Sequence, residues 1–210
     1  MKCPLCCATS PSDFYRNKCS QYWHCPSCDL IFLDPNDLLS ADAEKAHYDC
    51  HNNDPQDQAY LGFLRQVSEP VVAALTHQAI GLDFGCGPGP ALALLLEQAG
   101  HQLLNYDPIY YPDEQLLTQT YRFVTSSEVV EHFNFPEQAW QRLISLVQQP
   151  GLLAVMTKRH SGTKVFPQWY YKNDPTHVAF YSDKTFAWLA EHYQMKLEIV
   201  SPSVALFHRV

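Results

Sequence analysis

Two cysteine pairs open the chain, Cys3 with Cys6 in "CPLC" and Cys25 with Cys28 in "CPSC". Eighteen residues separate Cys6 from Cys25, which is the spacing of a four-thiolate metal site. Each C-x-x-C turn aims two sulfurs at one ion, and a hairpin through "FYRNKCSQYWHC" would bring the two turns together into a tetrahedron. A sulfur tetrahedron suits zinc, with rubredoxin-like iron as the other metal it accommodates. Disulfides are the competing use of these residues. No apolar stretch follows the single lysine of "MKCPLCC", so the sequence predicts no secretory signal and points to reduced thiols in a soluble, cytoplasmic protein. Cys7 and Cys19 fall outside the tetrahedron, and His24 is read as a surface or supporting residue rather than a ligand. A closed four-sulfur site has no open coordination position, so its role is folding or partner contact. So small a segment cannot build an adequate core, and metal removal is expected to unfold it while sparing the rest.

The second chemical feature is "LDFGCGPGP", Leu82 to Pro90, with three glycines and two prolines. It follows the strand-like "AIGLDFGC" and precedes "PALALLLEQAG", which reads as a helix opened by proline and closed by glycine. Glycines at such a turn let the main chain approach a ligand and present the amides of the helix N-terminus. The dinucleotide fingerprint needs glycine or alanine where Pro90 stands, which excludes a simple nicotinamide site. About twenty residues further on, a second strand, "HQLLNYDP", ends in Asp107, whose carboxylate can accept hydrogen bonds from both hydroxyls of a ribose. Gly85, Gly87, Gly89 and Asp107 together predict a nucleoside-ligand site.

The elements that must position these residues follow from the hydrophobic pattern. Residues 1–33 form the ribbon-like segment, 34–57 a polar connector with one short helix, and 58–210 a domain in which strand-like and helical runs alternate. That alternation predicts an α/β fold around a mainly parallel sheet. The helical run "QAYLGFLRQVSEPVVAALTH" contains Pro70, which predicts a kink or a boundary between two helices. The longest apolar run, "ALALLL", is far too short to cross a membrane. A net charge of −8 argues against broad nucleic-acid binding, while "KRH" at residues 158–160 leaves a local basic patch open.

"LDFGCGPGP" and "YDP" resemble the first two motifs of class I S-adenosylmethionine-dependent methyltransferases. "SSEVVEHF" and "PEQAWQRLISLVQQPGLLAVMT" are similar to that family's fourth strand, helix and fifth strand. The resemblance covers roughly residues 61–210 and implies a Rossmann-like sheet with an antiparallel last strand. It further implies that Gly85, Gly87 and Gly89 flank the methionine part of S-adenosylmethionine and that Asp83 holds its amino group. On the same resemblance Asp107 holds the ribose, while Ser127 and Glu128 lie near the sulfonium. Glu131 and His132 are read as structural support or as chemistry. One departure stands out: only 13 residues separate Asp107 from the strand "YRFVTSS", where the usual fold places a helix, a strand and a helix. The third strand is therefore expected to be missing or abbreviated, and Tyr106, Ile109 and Tyr110 are candidates to cover the adenine instead.

Substrate clues lie after the fifth strand, in the long aromatic stretch from Arg159 to Phe186. "DPTHVAFYS" resembles the segment of several small-molecule methyltransferases in which an aspartate and a histidine face the pocket. His177 is thus either a general base oriented by Asp174 or a histidine that ties the loop down. Trp169, Tyr170 and Tyr171 could stack on a planar substrate or pack in the core. The leading expectation is methyl transfer to a small molecule. An RNA or protein methyltransferase that docks its substrate through the ribbon is the second reading, and would be favoured by a basic face joining Lys158, Arg159 and Lys164 to Arg16 and Lys18. A degenerate, non-catalytic cofactor-binding protein is the third.

Overall fold

The computed structural model describes residues 1–50 and 54–210. Three short strands come first: β1 (Ser12–Arg16), β2 (Gln21–His24) and β3 (Ile31–Leu33), each antiparallel to the next. The connector folds into helix α1 (Ala41–Tyr48), where the Ser40 hydroxyl accepts from the amide of Ala43 as an N-cap. Connector residues 51–53 lie outside the described residues. Helix α2 (Gln58–Ala74) opens at Asp57 and runs through Pro70 unbroken, which corrects the expected boundary there. Proline removes the hydrogen bond to the carbonyl four residues back. That residue, Gln66, is exposed, so solvent can replace the lost donor.

From here strands and helices alternate: β4 (Ile80–Phe84), α3 (Ala91–Gln98), β5 (Gln102–Tyr106), β6 (Tyr121–Ser127), α4 (Pro136–Ser145) and β7 (Val147–Met156). The two-residue strand β8 (Ala179–Phe180), helix α5 (Asp183–His192) and the hairpin β9 (Lys196–Ile199) and β10 (Val204–Arg209) complete the chain. The main sheet has the order β5-β4-β6-β7-β10-β9. Its strands β5, β4, β6 and β7 are parallel, while β10 runs antiparallel to both β7 and β9. Residues 108–120 contribute only the bridge Asp107–Tyr111 and a short 3-10 turn, Glu114–Thr118. Among the described residues no strand lies beyond β5, as the short segment predicts. Strand order reverses at β4, which leaves a crevice at the carboxyl ends of β4, β5 and β6, where open α/β sheets bind ligands.

Alternation along each strand divides the core in two. One face packs against α2 and α3 through Val67, Val71, Leu92, Leu96, Leu152 and Met156. The other packs against α4 and α5 through Trp140, Leu143, Phe186, Leu189 and Phe207. The cysteine-rich segment joins this second core: Leu5, Tyr22, Leu30, Ile31 and Phe32 belong to the same buried cluster. Strand β3 also pairs with β8, so the first sheet has the order β1-β2-β3-β8. The aromatic stretch from Arg159 to Phe186, in which the sequence places the substrate clues, supplies the core with Phe166, Tyr171, Phe180 and Tyr181, all buried.

Candidate functional site

The four cysteines converge as their spacing predicts. Cys3 and Cys28 have sulfurs 3.7 Å apart, Cys6 and Cys25 3.5 Å, and all four lie within 4.8 Å of one another. Metal–sulfur bonds of about 2.3 Å in a tetrahedron put the sulfurs roughly 3.8 Å apart, so the group fits a tetrathiolate ion and not two disulfides. The two knuckles share one backbone design. The amides of Cys7 and Asp29 donate to the carbonyls of Cys3 and Cys25, and the amides of Cys3 and Cys25 donate to Ala8 and Leu30. Cys7 and Asp29 take φ values of 58° and 62°, the left-handed conformation that closes each turn. Asp29 then ties the segment to the main domain. Its carboxylate meets His24 Nε2 at 2.9 Å and accepts from the hydroxyl of Ser182, the N-cap of α5, at 2.6 Å. Cys7 Sγ, outside the tetrahedron, donates to Glu137 at 3.1 Å.

At the sheet's carboxyl edge a cavity of about 560 Å³ opens. Gly85, Gly87, Asp107, Ile109 and Tyr110 line it from the loops after β4 and β5, Ser127 and Glu128 from the end of β6, and His132, Asp174 and His177 from the segments that follow. The glycine loop turns sharply after β4. Gly85 has φ +84° and Gly87 φ 64°, and a Cβ on Gly85 would meet Val129 Cγ2 at 2.5 Å. Asp107 holds the loop in place: its Oδ2 accepts from the Gly87 amide at 3.1 Å, and its Oδ1 from the amides of Ile109 and Tyr110 at 2.8 and 3.0 Å. Oδ1 is thus doubly engaged, and Oδ2 keeps a lone pair toward the cavity. Tyr106 is buried beneath this end and is not among the lining residues, in contrast to Ile109 and Tyr110.

Asp83 lies behind the glycine loop rather than on the main cavity wall, lining a small neighbouring space with Cys86 and Ser127. Burial raises its carboxyl to about 7, against the opposing effect of a 2.7 Å hydrogen bond from Thr125 Oγ1. Ser127 Oγ and Glu128 Oε1 are buried without a hydrogen-bond partner. Glu128 also has φ 54°, a conformation that a non-glycine residue keeps only where its surroundings impose it. Burial, followed by repulsion from Glu131, raises the Glu128 carboxyl to about 8. Glu131 is fully buried, and desolvation raises its carboxyl to about 7. The Tyr171 hydroxyl reaches both acids, at 3.1 Å from Glu128 Oε2 and in a short hydrogen bond to Glu131 Oε1.

Of the two readings of His177, the geometry carries the loop tie. His177 Nδ1 donates to the carbonyl of Tyr171 at 2.7 Å, while its Nε2 is 3.9 Å from Asp174 Oδ2. The carbonyl of Tyr171, not Asp174, fixes the tautomer. Burial and the neighbouring His132 lower the imidazole to about 4, so it is neutral at physiological pH and has little proton affinity as a base. Burial would raise Asp174, but hydrogen bonds from the Thr176 side chain and backbone, with His177 and His47 nearby, hold it at about 2. His47 Nε2 approaches Asp174 at 3.2 Å. Of the two readings of the aromatic run, core packing holds for Tyr171 and Trp169, while Tyr170 is 59% exposed, and none of the three lines the cavity.

The connector and α2 supply wall residues that sequence reasoning missed. Glu44 and Tyr48 of α1 and Tyr60 and Phe63 of α2 line the cavity, and Tyr48 meets the ring of His132 edge-on at 5.3 Å. Asp49 accepts from the Tyr110 hydroxyl at 2.8 Å, linking α1 to the Asp107 end. The only sequence signal for this was the helix-forming "SADAEKAHY" after an otherwise polar turn.

Comparison with known proteins fits this architecture. No curated protein matches the chain in sequence. Among solved structures, 1,6-didemethyltoxoflavin-N1-methyltransferase of Burkholderia thailandensis, solved with 1,6-didemethyltoxoflavin and S-adenosylhomocysteine, superposes with a TM-score of 0.54 at 14% identity, covering 96% of this chain and 100% of its own. The magnesium protoporphyrin IX methyltransferase of Synechocystis PCC 6803, solved with S-adenosylhomocysteine, gives 0.50 at 14% identity over 80% and 94%. A protein of Pyrococcus horikoshii OT3 gives 0.53 at 14% over 79% and 99%. At these identities the likeness speaks for the fold. The methyltransferase-domain family model matches residues 57–199, most of the chain and all of the cavity's glycine loop, and by that match the protein belongs to the methyltransferase-domain family.

Proposed function

We propose that the protein transfers the methyl group of S-adenosylmethionine, in line, to a small-molecule acceptor, and that Cys3, Cys6, Cys25 and Cys28 hold a structural zinc ion. The observation that carries this reading is one cavity lined together by Gly85, Gly87 and Asp107, by Ser127 and Glu128, each with an orphaned polar atom, and by His132 and His177. S-adenosylmethionine supplies a methyl group already activated on a sulfonium, so the chain's task is mainly to bind and orient. Asp107 Oδ2 would accept from the ribose, Ile109 and Tyr110 would cover the adenine, and the backbone of Gly85 and Gly87 would pass under the methionine part. Asp83 would charge to meet the ammonium group. Ser127 and Glu128 sit where the sulfonium would lie, and a carboxylate there favours the cation.

The acceptor would enter between α1 and the His132–His177 wall. A small acceptor is favoured because helices α1 and α2 and the loop carrying Asp174 all contribute to the cavity lining, which leaves little room for a macromolecule. The basic face that would support RNA docking lacks a member: the Arg159 side chain is 3% exposed and ion-paired with Asp183 at 2.6 Å. Two bound S-adenosylhomocysteine ligands in superposable methyltransferases also support the cofactor. The test is incubation with methyl-labelled S-adenosylmethionine and either a metabolite extract, total RNA or total protein. Label in the small-molecule fraction is the expected result. Label confined to RNA or protein would overturn the small-acceptor reading.

A further inference from the structure

At the far end of the cavity, three side chains from two segments converge in a way that loop anchoring does not explain. One carboxylate oxygen of Glu131 and one ring nitrogen of each of His132 and His177 lie within 4.8 Å of one another. Glu131 and His132 come from the turn after β6, and His177 from the loop before β8. Each imidazole has its Nδ1 committed to a backbone carbonyl, His132 to Thr176 at 3.0 Å and His177 to Tyr171 at 2.7 Å. A carbonyl only accepts, so both Nδ1 atoms carry the proton and both Nε2 atoms carry the lone pair. A backbone acceptor on the second nitrogen is the arrangement that orients histidines as metal ligands.

The carboxylates add an independent observation. Glu131 is fully buried and its Oε2 has no hydrogen-bond partner. Tyr171 OH lies within reach of both Glu128 Oε2 and Glu131 Oε1, yet one hydroxyl donates a single proton. The Thr157 side chain and the backbone also steady the Glu131 carboxylate, but Glu131 Oε2 and Glu128 Oε1 keep no hydrogen-bond partner, and a buried acceptor without a donor is costly. A cation beside Glu131 would satisfy Oε2.

We propose that Glu131, His132 and His177 form a second metal site, distinct from the four cysteines, that holds a divalent transition-metal ion at the acceptor end of the cavity. Two imidazole nitrogens with a carboxylate suit borderline ions such as Mn2+, Co2+ or Zn2+ better than Mg2+, which prefers oxygen throughout. His132 and His177 line the cavity, so three protein ligands leave positions open toward it, the pattern of a catalytic rather than a structural site. The open position would take a lone-pair oxygen of the ligand; resting on the methyl-transfer reading, that oxygen is a hydroxyl of the acceptor. Coordination lowers the pKa of a bound hydroxyl, whose proton leaves to water. This removes the need for His177 as a base.

The test is a Mn2+ titration of the full chain, followed by the loss of the free-ion paramagnetic resonance signal. A brief chelator treatment precedes it, with elemental analysis confirming that the zinc of the cysteine site is retained. Mn2+ prefers nitrogen and oxygen over thiolate, so it reports this site alone. About one Mn2+ per chain is expected, with affinity falling at least about ten-fold in both Glu131→Gln and His132→Ala. Glu131→Gln keeps the side chain's shape, and circular dichroism on both variants separates lost binding from lost folding. No Mn2+ binding by the wild-type protein, or equal binding by well-folded variants, would overturn the proposal. S-adenosylmethionine binding, measured on the same samples, fails or succeeds separately: its absence with Mn2+ binding intact would remove the methyl-transfer reading and leave the metal site standing.

Discussion

Replacing Asp107 with alanine probes the cavity where its geometry is best defined. Oδ1 already accepts from the amides of Ile109 and Tyr110, and Oδ2 from that of Gly87. One lone pair on Oδ2 therefore remains for a ribose hydroxyl without disturbing the loop. A hydrogen bond to a charged group is worth about 1.5–3 kcal/mol, so Asp107→Ala should weaken S-adenosylhomocysteine binding by about 10- to 150-fold. The same substitution frees three amides, and a loosened glycine loop would also cost affinity. A double-mutant cycle separates the two effects. Calorimetric titrations of both proteins with S-adenosylhomocysteine and with its analogue lacking the ribose hydroxyls should show that removing the hydroxyls weakens binding to the wild type and changes little in Asp107→Ala. Unchanged affinity in the variant, or full additivity of the two changes, would refute the ribose assignment.

Other expectations follow from the same geometry. Gly85→Ala combines a positive φ with a Cβ 2.5 Å from Val129 Cγ2; it should lower the thermal midpoint and abolish cofactor binding, and adding Val129→Ala should recover part of the midpoint. Because Leu5, Leu30 and Phe32 share a buried cluster with Trp140 and Phe186, removing the metal proposed for the four cysteines should lower a single melting transition of the whole chain. A biphasic melt with the main transition unmoved would show that the ribbon folds apart. Asp83 gives a pH signature. Its folded carboxyl is raised to about 7, so between the ordinary carboxylate range and that value the folded chain holds a proton the unfolded chain has lost, and stability falls as pH rises through this window. An ammonium group needs Asp83 charged, so cofactor affinity should drop as pH falls below about 7 and proton release should appear as a buffer-dependent heat of binding. Asp83→Asn should weaken binding and remove both signatures.

How much was legible in the sequence follows from how local each signal is. The cysteine tetrahedron and the glycine loop depend on short spacings, Cys3 to Cys6, Cys25 to Cys28 and Gly85 to Gly87, and the structure realises both. The abbreviated third strand was readable because the 13 residues at 108–120 are too few for the usual helix, strand and helix. What escaped was long-range. Nothing in "IFLDP" says that β3 will pair with residues 179 and 180, and nothing in the polar connector says that Tyr48 will meet His132. The aromatic run at 169–171 left stacking on a substrate and packing in the core both open. Tyr171 turns inward, where its hydroxyl meets Glu128 and Glu131. Pro70 marks no helix boundary, since the rule that proline ends helices weakens where the carbonyl it strands faces solvent.

The measurement that tests the central claim most directly is calorimetric titration of the purified chain with S-adenosylmethionine and, separately, with NADH. The account predicts saturable binding of S-adenosylmethionine near one per chain and none of NADH, because Pro90 occupies the position where a dinucleotide site needs glycine or alanine. Binding of NADH alone, or of neither ligand by a well-folded sample, would contradict it.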